Sequence, residues 1–415
     1  VRGAAPRVAC VLLGCAAARA PAQVPAAKDA PPKIRVLATT RGTFAAFGEP
    51  SASQKGDVAF HATRKDGREG IYTSSGGTPS PIVLAGDPVP DGAAAWVVAR
   101  LGRRPTLSGA AGCAFTVEFE GGGKAVLASR GFGFEPEFVA DSGEAFRSFG
   151  EDALLDLRGN VLFHALLDPP RDRERDEFVR PESTASGALP EDDANATPPV
   201  RRTFAGRAES FHHGLFLEDA NGRLTLVAGT QEGFLDLTDE IALNASGAVA
   251  FVASVREKHW TLFSTTGSTL LEVAETGEEW SAFHRPAMSP DGHVALVVEK
   301  RDGAPAVARV PKGGGAPSIV ADATGGFTAI GPNVAIDDAG TIAFVAERED
   351  VGGLYLADPG AAPRLVVPIG TAAGSDAIAA FRLSNRAFGR ARQLFALVAL
   401  DPDGQAIVSI ELAGK

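Results

Sequence analysis

Two histidines occupy matching places in this chain. His61 follows Val58-Ala-Phe60, and His164 follows Val161-Leu-Phe163. An imidazole at the end of a short apolar strand can serve as a general base or a metal ligand. Acidic residues lie beyond similar strands elsewhere: Glu118 and Glu120, Glu299, then Glu347, Glu349 and Asp350. Gathered on one face, they would hold a cation or a sugar, or form a solvated rim. Trp96 adds an aromatic surface on which a ligand could stack. Other groups read as structure. His212 and His213 are adjacent, and neighbours in a strand point to opposite faces, which argues against a shared metal. Asp337-Asp-Ala-Gly340 and Asp401-Pro-Asp-Gly404 lack the spaced carboxylates of a calcium loop and read as hairpin turns. Gly121–Gly123 and Gly313–Gly315 have no following helix to cradle a phosphate. There is no CxxC, HExxH, Walker loop or GxSxG. The expected site is a binding site drawn from His61, His164, Trp96, Glu118, Glu299 and Glu347, with no catalytic group, metal or cofactor.

The elements that must position these residues repeat along the chain. A Gly, a β-branched residue, a small residue and a Phe recur: Gly56-Asp-Val-Ala-Phe60, Gly112-Cys-Ala-Phe115, Gly159-Asn-Val-Leu-Phe163, Gly247-Ala-Val-Ala-Phe251, Gly292-His-Val-Ala-Leu296 and Gly340-Thr-Ile-Ala-Phe344. Gln393-Leu-Phe-Ala-Leu397 reads as a degenerate seventh copy. Three residues before the Gly stands Ser53, Asp156, Asn244, Ser289 or Asp337, a type that caps its own turn while Gly takes the positive φ. Two further β-rich runs follow each copy, so each unit holds four short strands. Such units are propeller blades. The seventh unit lacks its last strand, and Ile34-Arg-Val-Leu-Ala38 supplies one at the other end. The expected fold is all-β: a seven-bladed propeller over 34–412 with antiparallel blades, strands a to d from the axis outward, closed by the N-terminal strand. Apolar pairs before each unit, such as Phe44/Phe47, Phe146/Phe149 and Trp280/Phe283, read as packing between blades rather than as a ring of ligand-stacking aromatics.

Asn244-Ala-Ser-Gly-Ala-Val-Ala-Phe251 fits NxxGxxAF at every fixed position, and the chain resembles bacterial exported proteins with tandem NxxGxxAF repeats. That resemblance covers nearly all of 34–412 and implies no catalytic residues. Ser289-Pro-Asp-Gly292 resembles the SPDG turn of TolB-like periplasmic propellers, within one unit. Likeness to propellers implies a site on the face shared by the b–c and d–a connections. Fold alone does not fix function.

The balance of 40 basic to 51 acidic residues, net −11, argues against a nucleic-acid partner. Residues 1–20 read as a targeting segment. Arg2 and Arg7 precede the apolar stretch Val8–Cys15, and Leu12-Leu-Gly-Cys15 resembles a lipobox, which implies lipidation of Cys15. Ordinary cleavage after Ala20 is the rival. Residues 21–33 form an Ala/Pro-rich tether. Cys113 is the single cysteine of the mature chain and reads as a buried, inert thiol. Residues 168–210 interrupt the third unit as a charged, disordered insertion. The expected protein is a monomeric binding or scaffold module, lipid-anchored in the bacterial envelope or secreted, with an envelope protein or glycan as ligand. A TolB-like variant would dock a partner's peptide in the axial channel. The alternative is a polysaccharide-acting hydrolase or lyase on the b–c/d–a face.

Overall fold

The computed structural model describes residues 31–412, apart from 92–93, 110–111, 131–134, 144, 168–212, 231–232, 267–268 and 391. Seven antiparallel sheets follow one another along the chain, mostly four-stranded, and form a seven-bladed propeller. In blade 3, for example, strand a is Phe146–Leu155, b is Val161–Leu167, c is His213–Glu218 and d is Leu224–Gly229. The targeting segment, the tether up to residue 30 and the insertion lie outside the described residues.

One turn recurs between strands a and b of every blade. The N–H of a turn residue donates to the carbonyl four residues on: Ser53 to Asp57, Ser108 to Gly112, Asp156 to Asn160, Asn244 to Ala248, Ser289 to His293, Asp337 to Thr341 and Gly389 to Gln393, at 2.7–3.0 Å. At Ser53, Asp156, Asn244, Ser289 and Asp337 the side-chain oxygen also binds the same turn. Asn244 Oδ1 accepts from the Ser246 and Ala248 N–H groups at 2.9 and 2.8 Å, and Asp156 Oδ1 accepts from Arg158 and Asn160 at 2.8 Å. Three residues on, Gly247 and Gly159 take φ of 85° and 86°. The repeat motif is therefore a turn signature, and its Phe reports what the turn feeds into the core.

Phe60, Phe115, Phe163, Phe251 and Phe344 are among the largest fully buried side chains. In four blades the motif Phe stacks on an aromatic of strand c, and an aromatic at or just before the start of strand a meets that partner edge-on. Phe251 lies 5.3 Å from Phe263 at 19°, and Phe234 meets Phe263 at 5.2 Å and 82°. Blades 1, 3 and 6 repeat this with Phe44/Phe60/Tyr72, Phe146/Phe163/Phe216 and Phe327/Phe344/Tyr355. Each trio packs against aliphatic residues of the preceding blade, as the blade 6 trio does on Ala295, Val297 and Val307. The aromatics before each unit are thus wedges between sheets. Trp96 departs from the pattern: it is 41% exposed.

The seventh copy sits one residue earlier than the sequence pattern suggests. Counting from Gly389, the glycine slot holds Arg392, at φ 66°, and the Phe slot holds Ala396. Phe395 instead packs with Phe47 and Phe60 across the joint with blade 1. The pattern misleads here because Leu394, Phe395 and Leu397 are all apolar, and only the turn hydrogen bond sets the register.

Closure is as expected. Lys33–Thr39 pairs antiparallel with Gln405–Glu411, from Lys33 opposite Glu411 to Thr39 opposite Ala406. This strand completes blade 7 and covers an edge that would otherwise template association. Deleting residues 33–39 should lower the melting temperature by on the order of 10 °C and cause concentration-dependent association. Thermal melts and light scattering check this; an unchanged, monodisperse variant would show that closure is dispensable.

Candidate functional site at the propeller axis

The turn register places equivalent residues of strand a around the axis. Four positions before each turn residue stand Glu49, Arg104, Asp152, Glu240, Arg285, Asn333 and Asn385, a fully polar ring. One position before it stand Ala52, Leu107, Leu155, Leu243, Met288, Ile336 and Phe388, a fully apolar ring. The two rings are two tiers of one axial passage.

The polar tier is an ion network across blades. Arg285 Nη2 lies 2.9 Å from Asp152 Oδ2, with Glu240 at 3.7 Å and Glu49 at 4.0 Å. Arg104 lies 3.7 Å from Glu49 and 3.5 Å from Glu151. Asn333 Nδ2 donates to Glu49 Oε1 at 3.4 Å. Burial raises the Asp152 pKa to about 6, against the pull of Arg285 and Arg104, with Asp239 and Glu240 adding to the rise. Burial works against the Arg285 charge, but Asp152, Glu240 and Glu49 outweigh it and push that group up. The pair is ionic at neutral pH, and Asp152 is the member that takes a proton on mild acidification.

Blade 7 stitches the axis shut. Arg386 Nη1 donates to the Leu155 carbonyl at 2.7 Å, and Nη2 donates to the Leu243 carbonyl, in blades 3 and 4. Hydrogen bonds from a charged donor contribute roughly 1.5–3 kcal/mol each. Asn385 Nδ2 donates to the Pro286 carbonyl at 3.0 Å, and Ser384 Oγ donates to the Pro50 carbonyl at 2.5 Å. Burial lowers the Arg386 pKa to about 10, with Asp156 and Asp152 opposing. Beyond this crossing, a funnel of about 270 Å³ opens on the a–b turn face, and all seven blades line it. A second cavity, of about 20 Å³, lies among the polar tier; Asn385 and Arg386 line both. The axial cavity therefore opens on the face opposite the one expected. The a–b turns are short and self-bonded, so they leave the mouth open.

The sequence-derived candidates are not brought together. His61 and His164 hold equivalent positions in two separate clefts. His61 is buried between blades 1 and 2, with Nε2 3.8 Å from Glu69. Burial lowers its pKa, Glu69 opposes this, and Arg103 adds to the lowering. His164 Nδ1 lies 2.6 Å from Asp239 of blade 4, and its Nε2 lies 3.3 Å from His213 Nδ1. The hydrogen bond from His164 holds the Asp239 carboxyl below the usual range, against burial. Glu299 Oε1 lies 3.1 Å from His284 Nε2 within blade 5. Glu118 is half-buried, opposite Arg100 and Lys124. Glu347 is half-buried in blade 6, and Trp96 packs on Phe119 at 5.4 Å. Among the described residues, no group of three or more His, Cys, Asp or Glu is arranged to hold a metal. Cys113 is buried, which pushes its thiol far up. Cys15 lies outside the described residues. Sequence reasoning missed the axial residues; the signal was present, as a charged or amide residue four positions before every turn.

No family model matches the chain, and no curated protein is similar to it. Solved structures share the fold. A prolyl endopeptidase structure is 11% identical, covering 90% of this chain and 51% of that one, at a TM-score of 0.52. A puromycin-hydrolysing peptidase of Mycobacterium tuberculosis is 13% identical, covering 88% and 51%, at 0.51. A putative TolB from Agrobacterium tumefaciens is 14% identical, covering 67% and 81%, at 0.39. The chain spans about half the length of the peptidases it matches. At these identities the likeness is one of fold alone.

Asp152 gives the axis a pH signature. Between about pH 4 and 6 the folded chain keeps a proton that the unfolded chain has released, so this group weakens the fold as pH rises through that window. Asp152→Asn removes the term. Urea melts at pH 4, 5 and 6 should show wild type losing up to ~3 kcal/mol relative to the variant across the window. Parallel pH profiles would contradict the assignment.

Proposed function

We propose that this chain is a binding module of the bacterial envelope whose ligand enters the axial funnel on the a–b turn face. One observation carries this reading: the funnel is an open cavity of about 270 Å³ built from all seven blades and floored by the Asn385 and Arg386 crossing. Ligand sites are concave and largely apolar, with a few convergent polar groups. The apolar tier, the turn residues above it and Arg386 below it have that composition. The scattering of His61, His164 and the acidic residues over separate clefts supports binding over hydrolysis. Arg2, Arg7 and the lipobox-like Leu12–Cys15 support export and a lipid anchor. One chain completes the ring, which supports a monomer.

The test is a pair of substitutions that fill or charge the mouth, Ala245→Trp with Leu157→Arg, made in the full chain. Both sites line the funnel, and Leu157 is 39% exposed, so folding should be unaffected. A partner retained from envelope extract by wild type should be lost by the double variant. Equal capture by a well-folded variant would move the site elsewhere on the propeller.

A further inference from the structure

Arg386 makes no direct ion pair among the described residues, although Asp156 and Asp152 lie near enough to favour its charge. Its two bonded hydrogens go to the Leu155 and Leu243 carbonyls, and no carboxylate among the described residues lies within ion-pair distance. Those carbonyls belong to the apolar tier, so the guanidinium sits level with Leu155 and Leu243 at the throat of the funnel. Its remaining N–H groups have no partner among the described residues. A guanidinium favours a planar carboxylate, which it binds through paired hydrogen bonds. Of the three carboxylates lining the funnel, Asp156 accepts two backbone N–H groups and the Asn160 amide, Asp337 accepts from the Thr341 N–H at 2.7 Å, and Asp338 is exposed at the mouth. Around Arg386 stand Leu107, Leu155, Leu243, Met288, Ile336 and Phe388, which suit an apolar side chain, while Gln54, Asn244, Asp338 and Arg392 line the same funnel.

We infer that the funnel receives the free carboxyl terminus of a polypeptide ending in an apolar residue. Its carboxylate pairs with the Arg386 guanidinium, and its terminal side chain lies against the apolar tier. This deepens the proposed function and rests on the funnel being the binding site. Capture of a chain terminus is a known recognition mode, and the throat supplies both halves of it. A uronic acid would offer the same carboxylate without the apolar side chain, and the test separates the two.

Met288 is the chain's single methionine and lies in the apolar tier. A ¹³C-methyl methionine label thus gives one reporter inside the funnel. The probes are N-acetyl-Ala-Ala-Leu as the free acid, the same peptide as its C-terminal amide, and digalacturonic acid. The free acid should shift the Met288 signal and bind about ten-fold tighter than the amide. Arg386→Gln should erase that preference in a variant whose melt confirms folding. The acid–amide comparison on wild type stands even if that variant fails to fold. Equal binding of acid and amide would overturn the inference, as would a Met288 signal unmoved by either peptide or preference for digalacturonic acid. If the mouth variants lose the envelope partner while acid and amide bind alike, the funnel remains the site and the terminus reading alone falls. If the mouth variants keep the partner, both fall.

Discussion

The propeller depends on one hydrogen bond made seven times, from a turn residue's N–H to the carbonyl four residues on. That bond fixes where strand a ends, and so which of its residues face the axis. A strand displaced by one residue turns every side chain over. Because each blade makes the same bond, seven diverged copies of one unit deliver a polar residue to one level and an apolar residue to another. The wedges of Phe and Trp then set how far each sheet leans on its neighbour, and the ring closes where Lys33–Thr39 completes blade 7.

Blade 7 keeps that bond and departs from the rest of the motif. Gly389 replaces the side chain that elsewhere caps the turn, and Phe395 lies 2.8 Å from where a Cβ there would sit. Arg392 holds the left-handed position that glycine fills in five other blades. Ser384, Asn385 and Arg386 reach across to blades 1, 3, 4 and 5. The blade that closes the ring is also the blade that crosses its centre, so the hydrogen-bonded seam and the axial crossing belong to one sheet.

Most of the architecture was legible because the repeat writes its own turn. Asn244-Ala-Ser-Gly247 is readable as a capped turn without any tertiary contact, and the missing strand at one end matched the spare strand at the other. The functional region was harder. His61 and His164 drew attention as histidines, yet their partners Glu69, Asp239 and His213 come from other strands and blades. Arg386 sits in a run with no motif, and its meaning lies in carbonyls more than 140 residues away in sequence. The side of the axis that opens was set by loop length and turn compactness, which strand patterns do not encode. Only the polar residue four before each turn was recoverable, once the turns were aligned.

The pairing of Lys33 with Glu411 has a geometric consequence. Lys33 opens the outermost strand of blade 7, and Glu411 ends strand c between that strand and strand b, where it faces Gln393 on the same side of the disc as the a–b turns. The outermost strand of the ring therefore starts at the level of the funnel mouth, while the end of strand c reaches the mouth itself: the Leu412 N–H donates to the carbonyl of Arg392, which lines the funnel, at 3.2 Å.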